Sequence, residues 1–122
     1  MASILTNLGQ QWIADRMSGA VATSGQHIGW GTGAGTAAAA DTTLFTEASE
    51  SRVAGTVSTQ GTGATAVYQV TGTITANGTK TITNAGNFTA SSGGVLILKG
   101  DFTGIVVNAN DTVTFTLTYD PA

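Results

Sequence analysis

The chain has 122 residues, of which 9% are charged, with a formal net charge of -3, one histidine and no cysteine. Ordinary soluble domains carry roughly 25% charged residues, so polarity here rests on Thr, Ser, Asn and Gln, and the four cations, Arg16, Arg52, Lys80 and Lys99, lie scattered. This composition excludes a phosphate-tracking nucleic-acid surface and a disulfide framework or thiolate chemistry, and no apolar run approaches the roughly 20 residues of a membrane helix.

The opening residues lack a basic leader followed by an apolar block, so no secretory signal is expected. Residues Ser3 to Ser18 read as a helix: Leu5, Leu8, Trp12 and Ile13 recur at helical spacing, with Met17 one turn on. Ser3 is the expected N-cap and Gly19 the stop. Gly9 weakens the helix or lets a neighbour pack close. Beyond it the pattern alternates. Gln26 to Trp30 is a short strand, Gly31 to Asp41 a loop, and "DTTLFTEAS" one helical turn capped by Asp41 or Thr42. Arg52 to Gln60 is a strand with Val53 and Val57 as its apolar points.

The strongest local signal is "VYQVTGTITANGTKTITNAGNFT", two alternating runs around Asn77-Gly78. Asn-Gly accepts the positive φ angles of a type I′ turn, so a β-hairpin is expected. Ser92-Gly93-Gly94 makes another turn. "VLILK" is continuously apolar, as in a strand buried on both faces, and "FTGIVV" continues it or turns a corner at Gly104. Asn108 to Asp111 is a turn, and Thr112 to Tyr119 a strand with Val113, Phe115, Leu117 and Tyr119 inward, ended by Pro121. One domain over 1–122 follows: a helix at 3–18, then six or seven strands over 26–119. The class is mainly β, an antiparallel β-sandwich or small barrel, jelly-roll-like, with the helix covering an open side.

"GWGTGAGT", Gly29 to Thr36, invites a nucleotide reading. The dinucleotide fingerprint needs G-x-G-x-x-G between a strand and a long helix, and the P-loop needs G-K-[ST]; neither spacing is met. The glycines of this stretch read instead as sites of close backbone approach. Nothing marks a nucleophile, and the lone His27 at a strand start reads as structural or exposed. The seven acids, Asp15, Asp41, Glu47, Glu50, Asp101, Asp111 and Asp120, form no close motif. Zinc would need His and Cys ligands that are missing. No catalytic, cofactor-binding or metal-ligating residue is therefore assigned. Three N-x-T sequons, at Asn77, Asn87 and Asn110, read as chance in a Thr-rich chain, two of them at turns that favour Asn. Trp12 belongs to the helix's apolar stripe; Trp30 is either an exposed anchor for a partner or a lid on the core.

Taken in order, "LTNLGQQWIADRMSG", "HIGWGTGAGTAAAADTTLFTEASESRV" and "ITNAGNF" give the chain a resemblance to a group of small tailed-phage virion proteins. Gly31, Gly33, Thr43, Leu44, Glu47, Arg52 and Asn84-Ala85-Gly86 carry it. It covers nearly the whole chain and implies a virion structural role, as a capsid decoration (cement) protein or a tail-fibre or tail-tip component. Lacking repeats, a coiled-coil shaft and a further C-terminal domain, the chain fits a small standalone subunit. The expectation is a homotrimer made in the host cytoplasm and bound to the major capsid protein on the capsid surface, with no nucleic-acid, membrane or cofactor partner. Trp30, Gly31, Gly33 and Gly35 are the expected contact residues, within an assembly loop from Gly31 to Ala40. Two alternatives are a tail component and a carbohydrate-binding module or hydrolase. A sugar site would need exposed aromatics, with Trp30 and Tyr68 as candidates; an enzyme would need a polar pocket around His27.

Overall fold

A computed structural model describes residues 3–20 and 25–120. The element order is β1 (Ile4–Leu5), α1 (Asn7–Ser18), β2 (His27–Gly31), β3 (Val53–Ala54), β4 (Thr56–Gln60), a 3-10 turn at Gly63–Thr65, β5 (Val67–Thr75), β6 (Lys80–Phe88), β7 (Leu96–Val107) and β8 (Thr112–Tyr119). Two antiparallel sheets form, one in the order β1-β7-β6-β2-β3 and the other β4-β5-β8. The fold is mainly β, as expected, and a sandwich rather than a closed barrel.

The core lies between the sheets. Ile28 and Trp30 of β2, Ile82 and Ala85 of β6, and Ile97 and Leu98 of β7 meet Val70 and Ile74 of β5 and Phe115 and Leu117 of β8. Alternation along a strand sends every second side chain to one face, so β5 and β8 bury their apolar residues and leave threonines outside. Thr71 and Thr73 of β5 face Thr116 and Thr114 of β8 across that outer face.

The helix differs from its expected form at its start. Ile4 and Leu5 pair with Lys99 and Leu98 as a strand, and the N-cap is Thr6, whose Oγ1 accepts from the Gly9 N–H at 2.9 Å. Thr6 also donates to the Leu96 carbonyl, which ties the cap to β7. Ser3, the expected cap, precedes the new strand. Gly19 does close the helix, in the left-handed region at φ 79°. Gly9 marks where the helix meets the sheet: a Cβ there would stand 2.5 Å from the Ile97 carbonyl oxygen. Backbone therefore lies on backbone, and the stripe read from periodicity is only partly used. Trp12 packs partly buried on the core, but Met17 is 84% exposed and Leu8 38%.

Two further readings need correction. Arg52 to Gln60 is not one strand. Val53 and Ala54 pair with β2, and Thr56–Gln60 pairs with β5 in the other sheet. The switch falls at Gly55, where a Cβ would meet the Thr71 carbonyl at 2.6 Å. Nor is Asn77-Gly78 a hairpin tip. β5 pairs with β4 and β8, while β6 pairs with β2 and β7, so the turn carries the chain from one sheet to the other. Neither Asn77 nor Gly78 is among the residues at positive φ, as a type I′ turn would demand.

The long hairpin is instead β6–β7, whose turn holds Gly93 and Gly94 at φ 63° and 72°. β7 continues through Gly104 for 12 residues without a corner. The Asn108–Asp111 turn stands as expected, with Asn110 at φ 72° and the Asp111 carboxylate accepting from the Asn108 N–H. β8 also stands, with Phe115 and Leu117 buried and Val113 and Tyr119 packed partly buried against the core. Pro121 lies outside the described residues.

Candidate functional site: a strap across the five-stranded sheet

The residues that carry the phage resemblance come together in space. Residues 32–52 leave β2, double back and lie across the outer face of the five-stranded sheet. The return begins as a short ladder: the Thr32 and Gly33 N–H groups donate to Thr46 and Phe45 carbonyls, and the Ala48 N–H to the Trp30 carbonyl. No helical turn forms in "DTTLFTEAS"; Phe45 and Thr46 make a tight turn, with Thr46 at φ 50°. Asp41 closes a different turn, its carboxylate accepting from the Ala38 N–H and its own N–H donating to the Ala38 carbonyl.

The alternating glycines have a structural cause. Residues two apart on a strand share a face, so Gly29 and Gly31 of β2 both look outward. Register places Gly86 of β6 beside Gly29, and Asn84 beside Gly31. A Cβ on Gly86 would lie 2.6 Å from the Leu98 carbonyl and 3.1 Å from Leu44 Cδ2, and one on Gly29 3.4 Å from Leu44 Cδ1. This bare strip lets Leu44 sink to 4% exposure, in a small second core with Phe88 and Leu96. Such satellite clusters form under long loops. It also explains why "VLILK" is buried on both faces: Leu96 lies under the strap, while Ile97 and Leu98 face the main core.

Polar groups fix the strap over that strip. Asn84, fully buried, accepts from the Phe45 N–H at 3.0 Å and donates to the Phe45 carbonyl at 3.1 Å. Thr83 donates to the Gly33 carbonyl. Asp101 accepts from the Ala37 N–H at 2.8 Å. Three acids of the strap each meet a cation. Lys99 Nζ reaches Asp41 at 3.0 Å and the Thr43 carbonyl at 2.8 Å, and lies 3.2 Å over the Phe45 ring. Arg52 holds Glu47 through two nitrogens, donates to the Ala90 and Gly93 carbonyls, and covers the Phe88 ring at 3.4 Å. Glu50 sits 2.6 Å from Lys80, and accepts from the Trp30 indole and the Asn77 N–H, each at 3.0 Å. Cations and acids scattered in sequence thus converge on one segment.

These contacts set the ionisation of the acids. The Ala38 N–H bond, joined by Lys99 and outweighing desolvation, holds the Asp41 carboxyl below its ordinary value. Burial pushes Glu50 up, but hydrogen bonds from Lys80, the Asn77 N–H and the Trp30 indole together outweigh it and bring the pKa to about 2. Burial raises the Tyr68 phenol to about 12 against an opposing hydrogen bond from Asn87.

Of the expected contact residues, Trp30 proves to be a core residue. It is 1% exposed, edge-on to Phe115 at 6.2 Å between centroids. Gly31 is buried too, and a Cβ there would sit on the Phe45 carbonyl. Cβ atoms on Gly33 and Gly35 would stand 2.7 Å from Thr46 Oγ1 and from the Phe45 ring. These glycines make room for their own chain. The exposed part of the Gly31–Ala40 loop is its rim, Ala34–Thr36 and Ala38–Ala40.

His27 is half-buried on β2 between Ala54 and Phe88. Neither of two surface hollows includes it. One, about 210 Å³, lies between α1 and the sandwich, lined by Leu5, Trp12, Ile13, Tyr68, Ile97 and Tyr119. The other, about 270 Å³, is an open groove lined by Phe102, Ile105, Val113, Thr114 and Phe115. Among the described residues no three His, Cys, Asp or Glu side chains gather where they could hold a metal ion, and no helix is long and apolar enough to cross a membrane. The Asn87 sequon is buried, its amide donating to the Gly25 carbonyl and the Tyr68 hydroxyl. No protein-family model, curated protein or solved structure matches the chain.

Proposed function

We propose that this chain is a structural subunit of a tailed-phage virion, a decoration protein that binds the major capsid protein on the outer shell as a homotrimer. Its mechanism is mass action: binding only to the assembled shell, it stabilises that shell by the surface it covers. The sequence resemblance supplies the virion context. The observation that carries an assembly role is the outer edge of β7. Among the described residues, β1 is the strand that pairs with that edge, and it does so at Leu98 and Lys99. Beyond Asp101 the edge runs without a charge from Phe102 to Asn110, and Ile105 and Val106 stand 45% and 66% exposed. Beside it, across the groove, β8 is the edge of the other sheet, equally uncharged from Thr112 to Tyr119.

Unpaired edges are templates for another chain, and proteins that must stay alone blunt them with Lys, Pro or a cover. Interface centres are poor in charge. An uncharged edge with two exposed aliphatic side chains suits permanent contact in an assembly, and the uncharged rim of the strap offers a second surface. Co-sedimentation with capsids that lack the protein tests the reading. Saturable binding in copies commensurate with the capsid lattice is expected. A handful of copies per virion, confined to the tail, would replace it with a tail component.

A further inference from the structure

We propose that Asn77 is a self-modification site, converted to aspartyl and isoaspartyl products through a succinimide formed with the backbone nitrogen of Gly78, and that Lys80 activates it. Three features of the sheet-to-sheet turn converge on this chemistry. Asn77 is exposed, so water reaches it. Its Oδ1 accepts from Lys80 Nζ at 3.0 Å, while its Nδ2 donates to Ser49 Oγ at 3.0 Å, which fixes the carboxamide with its oxygen on the cation. The attacking residue is glycine, which brings no side chain of its own to the ring closure, and the space where a Cβ would stand is open, with nothing within 4 Å.

The reaction balances without a further reagent than water. The Gly78 nitrogen bonds to Asn77 Cγ and gives up its proton. The bond from Cγ to the side-chain nitrogen breaks, and that nitrogen leaves as ammonia. Water then opens the ring at either carbonyl, giving aspartate or its isomer with the backbone routed through the side chain. Negative charge develops on Oδ1 during the attack, where Lys80 already points. A charged donor aimed at a developing oxyanion lowers the barrier.

Lys80 is the activator and not the nucleophile. Its amine could in principle attack Cγ and form an isopeptide bond, but it must first lose a proton. The Glu50 carboxylate lies 2.6 Å from Nζ, with the two side chains 15% and 5% exposed. The same pair holds the ammonium against Oδ1. Conversion would then change the network it arises in, since the new carboxylate competes with Glu50 for Lys80.

Peptide mapping by mass spectrometry during storage of the folded protein in mildly alkaline buffer provides the test. Asn77 is expected to convert ahead of Asn7, Asn84, Asn87, Asn108 and Asn110, and hydroxylamine is expected to cleave the chain between residues 77 and 78. Lys80→Met should slow conversion by about tenfold, the scale of one charge-assisted hydrogen bond, while Lys80→Arg keeps most of the rate. In urea the wild type and Lys80→Met should convert alike. An Asn77 that outlasts the other asparagines overturns the proposal. A Lys80→Met rate equal to wild type, or a slowing that persists in urea, overturns the role of Lys80. A stable ammonia-loss product that resists hydroxylamine and joins residues 77 and 80 would make Lys80 the nucleophile and overturn the assignment to Gly78.

Discussion

Lys99 and Asp41 meet at 3.0 Å, and the burial is one-sided: the lysine side chain is 0% exposed and the aspartate 22%. A charge removed from water is tolerable only when paired and hydrogen-bonded. Here the lysine depends on the strap, because Asp41, the Thr43 carbonyl and the Phe45 ring all belong to it. The sheet supplies the cation and the strap supplies its solvation.

An asymmetry between two substitutions follows. Asp41→Asn leaves the ammonium buried with its main counter-charge gone and should cost about 3 kcal/mol, as when one partner of a buried pair is removed. Lys99→Met keeps the packing volume and frees an aspartate that water can reach, so it should cost about 1–2 kcal/mol, mainly for the unpaired Thr43 carbonyl. Urea unfolding of the two variants decides it. The opposite order would mean that the lysine rehydrates in the folded state and that the strap does not hold it.

Acid should loosen the same segment. The Glu50 carboxyl, at 4.5 without its partners, titrates at about 2 in the fold. A depressed carboxyl stabilises fully above its unfolded value, and the contribution is lost as pH falls from about 4.5 toward about 2. Asp41 is lowered as well and acts in the same direction. Denaturant midpoints measured across this range should fall with pH, and Glu50→Gln should flatten the slope while lowering stability near neutrality. An unchanged acid slope in that variant would show that Glu50 is not the linked group.

The glycines separate by position. Gly78→Val should be nearly neutral, within about 0.5 kcal/mol, because the site is open and carries no positive φ. Gly86→Ala and Gly9→Ala should each cost about 2 kcal/mol or more, the range of overpacking a close contact, since a Cβ would meet the Leu98 or Ile97 carbonyl within 2.6 Å. Thermal melts of the three variants test this together. A severe loss in Gly78→Val would restore the strained-turn reading.

That contrast shows what the sequence could tell. Alternation located β5, β6 and β8, because side-chain period survives whatever the strand pairs with. Asn77-Gly78 misled because a turn signal reports a local bend and not which sheet the next strand joins. "VLILK" announced two buried faces, but nothing in its residues named the cover, which lies some fifty positions upstream at Leu44. Trp30 among glycines reads equally as a surface anchor or as a lid on the core. Those glycines are bare so that the strap can lie against them, and the tryptophan, on the opposite face of β2, fills the core. Ser3 reads as the cap because Leu5 opens the helical stripe, whereas pairing with β7 claims Ile4 and Leu5 as a strand and leaves the cap to Thr6. The ion pairs of the strap were legible only as residue types, since Lys80 and Lys99 reach Glu50 and Asp41 through tertiary structure.

The assembly reading makes its own demand on β7. Val106 is 66% exposed on the outer edge, so replacing it with aspartate removes no buried contact and should shift stability by less than about 0.5 kcal/mol. A charge placed at the centre of an interface must be desolvated without a partner there, and it also blunts an edge against strand addition. Val106→Asp should therefore keep the wild-type circular dichroism and melting curve, yet lose self-association in sedimentation and binding to undecorated capsids. Gly33→Lys with Gly35→Lys gives the contrasting case. Both positions press on Thr46 and Phe45, so this pair should lower stability by about 2 kcal/mol or more through overpacking, and any loss of binding would follow the loss of fold. A Val106→Asp protein that decorates capsids at full occupancy would remove the β7 edge from the contact and leave the exposed rim of the strap, Ala34–Thr36 and Ala38–Ala40, as the surface to test next.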